Sequence, residues 1–127
     1  MNTTYKIAMS VLVGAALGAA AVQGLHAQAK PKAYIVTESD VIDATSLAAY
    51  TPQAQAAAKA AGGVPGVVAS GKIVALVGEA PKRFGVSEWE SLEKAQAYYN
   101  SAERKALTPL RDKAFKTTRQ FIVERPN

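Results

Sequence analysis

An apolar run, Ala33 to Val36, passes into polar residues at Thr37, and along residues 33–39 Tyr34, Val36 and Glu38 alternate with Ile35 and Thr37. A period of two predicts a half-buried strand. Residues 84–89 alternate in the same way, and residues 120–124 are read as the last strand. Between these stretches the period lengthens. Asp43 is placed to cap a helix carrying Leu47, Ala48 and Tyr50. Thr51-Pro52 interrupts that helix, because proline removes one hydrogen bond and clashes with the preceding turn. Thr51 as cap and Pro52 at the first helical position allow a restart, so a kinked or split helix is expected over residues 44–61. Gly62-Gly63 ends it.

Two apolar runs follow, residues 64–69 and 72–77, separated by Ser70-Gly71. That spacing predicts a tight hairpin, with Gly66 marking a bulge or an edge in its first arm. After the strand at 84–89, Ser91 caps a helix with Leu92, Ala95 and Tyr99 on one face. Tyr99 is therefore expected in the core and Tyr98 toward a cleft or a partner subunit. Asn100-Ser101 breaks this helix and Ser101 caps the next, whose first turn carries Glu103. Thr108-Pro109 marks a further kink or restart.

The order is β-α-β-β-α-β with the second β region drawn out as a hairpin, an α+β, ferredoxin-like sandwich. Right-handed crossovers then set the first strand and the 84–89 strand side by side and parallel in the centre. The last strand lies antiparallel beside the first. Helices cover one sheet face, and the other must be solvated, covered or paired.

The N-terminus departs from this alternation. Lys6 precedes a stretch, residues 7–22, that is free of charge and rich in Ala, Val, Leu and Gly, and Leu25-His26-Ala27 and Ala27-Gln28-Ala29 offer small residues around a cleavage site. Residues 1–29 read as a secretory signal peptide, and 30–127 as a single domain of a secreted or periplasmic protein. The apolar run spans about 24 Å, short of the roughly 30 Å of a bilayer core, so no membrane association is expected after cleavage.

Cleavage also narrows the chemistry. Met1, Met9 and His26, the only histidine, leave with the segment, and the chain has no cysteine. A Ser-His-Asp triad, a cysteine nucleophile, a His/Cys zinc site and a conventionally ligated haem are excluded, and no cofactor or metal is expected. Any general base must be a carboxylate, a tyrosine or a lysine. The formal charge is +5, or +4 once Lys6 is removed, but the basic residues are scattered, with no run of four or more. Nucleic-acid binding is not expected.

The segments AYIVTESDV, KIVALVGEAPKR, EWESLEKAQAYYNS and ALTPLR, with a helix ending in AGG, resemble the small bacterial proteins called domain of unknown function 1330. The resemblance runs from Lys32 to about Glu124 and is most specific over residues 88–101. It implies a dimeric α+β barrel in which two open sheets face each other, and so a homodimer. Wider relatives of that fold include cofactor-free monooxygenases, isomerases and haem enzymes, but the family brings no assigned reaction. Where its members often carry a bulky or basic residue after the double glycine, this chain has Val64-Pro65-Gly66.

Tyr34-Val36-Glu38 and Phe84-Val86-Glu88 share one pattern. On adjacent parallel strands both glutamates would sit at one end and on one face, with Arg119 at the start of the last strand close by. Two close carboxylates raise one pKa toward a useful acid or base, so Glu38, Glu88 and Arg119 are the catalytic candidates; the competing reading is a salt-bridge network that fixes dimer register. Tyr34, Tyr98 and Arg111 are the ligand-binding candidates, an arginine being able to clamp a carboxylate through two hydrogen bonds. Residues 77–83 lack the spacing of a phosphate loop. The composition points to a binding module for a small apolar or aromatic molecule. The alternative is a cofactor-free enzyme of isomerase or monooxygenase type that uses carboxylate, tyrosine and arginine.

Overall fold

A computed structural model describes residues 30–127; residues 1–29, expected to be a signal peptide, lie outside the described residues. The elements are β1 (Ala33–Val41), α1 (Ala44–Ala60), β2 (Val64–Ala69), β3 (Arg83–Trp89), α2 (Leu92–Tyr99), α3 (Ala102–Ala106), α4 (Thr108–Ala114) and β4 (Phe115–Glu124). They form one sheet in the order β2-β3-β1-β4 with every neighbouring pair antiparallel. This is the ferredoxin-like α+β arrangement.

Local signals account for most boundaries. The Asp43 carboxylate accepts from the Ser46 amide, Ser91 Oγ from Lys94 and Ser101 Oγ from Arg104, each starting the helix expected there. The end of α1 is a Schellman motif: the Gly62 amide donates to Lys59 O at 3.0 Å and the Gly63 amide to Ala58 O at 2.9 Å. Gly62 holds φ +92°, a conformation that glycine adopts without a Cβ penalty. α1 runs through Pro52 without splitting. The carbonyl deprived of a donor belongs to Ala48, which is exposed and can be hydrated.

Three expectations fail. The second arm of the hairpin, residues 72–77, is not a strand; Val74, Leu76 and Val77 are exposed, the last two almost fully. Ser70 is committed elsewhere. Its amide donates to Phe84 O at 2.9 Å and its Oγ accepts from the Phe84 amide at 3.0 Å, so β2 pairs directly with β3 across a long loop. Losing one strand between β2 and β3 reverses the direction of β3, which is why it runs antiparallel to β1 and not parallel. Third, it is Tyr98 that packs inward, stacked on Trp89 with ring centroids 4.6 Å apart. Tyr99, the last residue of α2, is exposed beneath the Arg104 guanidinium. The buried face of α2 centres on Ala95, flanked by Leu92 and Tyr98.

Cross-strand partners share a face. Ala33, Ile35 and Thr37 of β1, with Trp89, Ser87 and Gly85 of β3, lie on the helix side. Ala33, Ile35, Trp89, Ala58 and Ala95 form the core there, with Ile122 packed against them. Tyr34, Val36, Phe84, Val86, Phe121 and Val123 occupy the other side, which no helix covers among the described residues. Gly66 lies where β2 shifts register at the sheet edge, at φ +69°. β4 begins at Phe115, earlier than expected, and a bulge at Thr118 opposite Glu38/Ser39 lets it do so. The extra residue turns Thr117 and Phe115 to the helix side, where plain alternation from Gln120 would have put Lys116.

Candidate functional site

The antiparallel register decides the fate of the two glutamates. Glu38 pairs with Phe84, and Glu88 with Tyr34. They share the open face but stand four residues apart along it, about 13 Å at strand rise. The same-end carboxylate pair is thus not assembled, because it required parallel strands.

Each glutamate has its own cation. Arg119, opposite Glu38 on β4, donates through Nη2 to Oε1 at 2.6 Å and through Nε to Oε2 at 3.1 Å. The two bonds raise the arginine's pKa, hydrogen bonding first and charge second. Arg119 therefore stands beside Glu38 on the open face, as its alternation suggested. At the far corner Lys32 Nζ donates to Glu88 Oε1 at 2.7 Å. That hydrogen bond is the main reason the Glu88 carboxyl titrates below its ordinary range, and it raises Lys32 in turn. Tyr34 lies beside Glu88. The open face is thus an apolar strip with an ion pair at either end.

The other candidates meet on the opposite side of the sheet. A cleft of about 290 Å³ lies between α1, the sheet and the α3–α4 segment, and both Tyr98 and Arg111 line it. Three residues that the sequence reading did not propose as ligand contacts, Tyr50, Arg83 and Arg104, line it with them. Tyr50 comes from the turn of α1 before Pro52, and its ring meets Phe115 edge-on at 5.3 Å. Arg83 opens β3 beside Ser39, donates to its Oγ at 3.3 Å and lies over the Phe115 ring. The bulge in β4 supplies that ring. Arg104 projects from α3, whose start is fixed by the Ser101 cap, and donates to Gln120 Oε1 at 3.4 Å. Arg111 reaches in from α4 while pairing with its exposed neighbour Asp112 at 3.2 Å.

Burial pushes the Tyr50 phenol above its ordinary pKa, against the pull of Arg111, Arg104 and Arg83, all three of which act on it. Burial also raises Tyr98, and Tyr50 raises it further. Both phenols therefore enter the cleft as hydrogen-bond donors at neutral pH. Among the described residues that line it there is no carboxylate. The arrangement can grip a small molecule by apolar contact with the Phe115 side and by donors from tyrosine and arginine. It has no carboxylate to take a proton. Arg83 and Arg104 escaped the sequence reading because they lie far apart along the chain, in β3 and α3, and join Arg111 of α4 only through the fold. Among the described residues no cluster of acidic groups or histidines could hold a metal ion.

The fold and this site place the chain among small α+β proteins built on one open antiparallel sheet. A family model described as "Domain of unknown function (DUF1330)" matches residues 32–125, and the chain belongs to that family. Among solved structures it is similar to the RPA0582 protein of unknown function from Rhodopseudomonas palustris, with a TM-score of 0.63 and 13% identity over 84% of this chain and 91% of that one. A structure of methylated RPA0582 gives a TM-score of 0.61 at 13% identity, covering 84% and 89%. At that identity the likeness concerns the fold alone. No curated protein matches the chain.

Proposed function

We propose that this protein is an exported, homodimeric binding module that holds a small molecule in the helix-side cleft. The observation that carries the reading is the convergence of Tyr98 and Arg111 with Tyr50, Arg83 and Arg104 on one cavity of about 290 Å³. That volume is at the lower end for small-molecule sites, where apolar walls usually carry a few placed polar groups. Binding is favoured over a cofactor-free enzyme because the glutamates are separated and individually paired, and the cleft walls hold no carboxylate. A thermal-shift screen of small aromatic compounds on the protein tests it. Stabilisation by one or more compounds, lost in Tyr98→Ala but kept in Glu88→Gln, supports the module. Turnover of a stabilising compound would overturn the non-catalytic reading.

Export rests on the charge-then-apolar pattern of residues 1–29 and its two small-residue cleavage sites. Intact-mass measurement of the exported protein should give an N-terminus at Gln28 or Lys30; a membrane-bound product that keeps Met1 contradicts it. The dimer rests on the uncovered strip. Phe121 and Val123 are 43% and 46% exposed beside Tyr34 and Val36 on one side of a sheet too small to close on itself. Pairing two such faces removes an apolar patch that a monomer would leave in water.

A further inference from the structure

Three guanidiniums around one tyrosine are an unusual furnishing for a pocket that binds only apolar molecules. Desolvating a charge is costly unless it is paired. The wall partners of these arginines are mostly neutral: the Ser39 hydroxyl for Arg83 and the Gln120 side-chain oxygen for Arg104, at 3.3 and 3.4 Å. Arg111 has a carboxylate, but it belongs to Asp112, the adjacent residue, 63% exposed and outside the lining. The cleft therefore carries three positive charges from its walls and no negative one. Two phenol hydroxyls complete a set made largely of donors. Phe115, Ile35 and Ala58 add apolar surface to the lining, with the Phe115 ring lying under the Arg83 guanidinium.

We infer that the ligand of this cleft is a compact organic anion, a carboxylate on a small flat apolar body, with the carboxylate held by Arg83, Arg104 and Arg111 about the Tyr50 hydroxyl. This rests on the cleft being the binding site, and it names the ligand's class. Arginine suits the task because its planar fork matches a carboxylate and bonds it in pairs. A neutral molecule of the same shape would leave those donors unsatisfied, which is where discrimination arises. The cavity's modest size limits the apolar body to about one ring. The three arginines lie on separate elements, so the anion would also tie β3, α3 and α4 together.

The test uses benzoate and benzamide, near-isosteres that differ in charge, titrated into the protein by calorimetry. Benzoate should bind at least about tenfold more tightly than benzamide. In Arg104→Gln, checked for an unchanged melting profile before use, the preference should fall below about threefold. A second measurement needs no variant: raising sodium chloride from about 20 mM to about 300 mM should erode benzoate binding and spare benzamide. Equal affinity for the two compounds overturns the anion assignment and leaves the cleft as an apolar binding site. Failure of both to bind at about 10 mM, a Kd weaker than any useful recognition, overturns the assignment and the cleft reading together. A preference for benzoate that survives Arg104→Gln and Arg111→Gln unchanged overturns it as well, by placing the anion elsewhere.

Discussion

Replacing Gly63 by alanine drives a methyl group into Trp89. A Cβ built there stands 2.6 Å from the indole carbons Cη2 and Cζ2, where ordinary contact begins at 3.4 Å, so something must retreat by about 0.8 Å. The ring has little freedom to do so. Trp89 is 1% exposed, its Nε1 donates to Ser87 Oγ at 2.9 Å, and its ring stacks on Tyr98. On the glycine side the chain is pinned by the hydrogen bond that the Gly63 amide donates to Ala58 O. Overpacking of this kind costs about 1–3 kcal/mol. Loosening the Trp89–Tyr98 stack adds up to about 1 kcal/mol. For a domain near one hundred residues, about 2 kcal/mol lowers the midpoint by roughly 10 °C. Urea and thermal unfolding of Gly63→Ala beside Gly71→Ala measure this directly. Gly71 has open space around it and no positive φ, so its alanine variant should stay within about 0.5 kcal/mol of the parent. Because Tyr98 lines the cleft, Gly63→Ala should weaken ligand binding too. A Gly63→Ala protein as stable as Gly71→Ala would refute the packing argument.

Other predictions follow from the same contacts. Ser101→Ala removes the cap of α3 and a bond to Tyr98 O at 2.7 Å, so unfolding stability should fall by about 1 kcal/mol and affinity in the cleft should drop as Arg104 loses its anchor. The depressed Glu88 pKa means that the folded state holds fewer protons: the Lys32–Glu88 pair stabilises fully above Glu88's ordinary 4.5 and loses its effect as pH falls through the lowered value. For Lys32, raised in the fold, the contribution is full below 10.5 and disappears at higher pH. Glu88→Gln should flatten the acid limb of a stability–pH curve, and an unchanged limb contradicts the assignment. Light scattering at micromolar concentration should show a dimer for the parent and a monomer for Phe121→Arg, which puts a charge in the apolar strip; a monomeric parent would end the paired-sheet proposal.

Much of the fold was legible because its signals are local. Asp43, Ser91 and Ser101 announce helix starts by side-chain chemistry alone, and Gly62-Gly63 announces an end. What the sequence misrepresented depends on distant partners. Residues 72–77 have a strand's composition, but strands exist by pairing, and Ser70 is already bound to Phe84. One absent strand inverted β3 and separated Glu38 from Glu88. The pairing of Glu38 with Arg119 was accessible because it depends on β1 and β4, whose antiparallel relation did not involve the missing strand. The cleft was half legible: Tyr98 and Arg111 were marked by aromatic and proline neighbours, whereas Tyr50 was read only as part of a helix, Arg83 and Arg104 were not read as site residues, and the three meet only through packing.

The most direct test of the account is a backbone NMR titration of the protein with benzoate, which locates binding without presuming a function. The account predicts that the perturbed amides cluster around Tyr50, Arg83, Tyr98, Arg104 and Arg111, on the helix side of the sheet. Perturbations confined to the open face around Tyr34, Phe84 and Phe121, or none at saturating concentration, would contradict it.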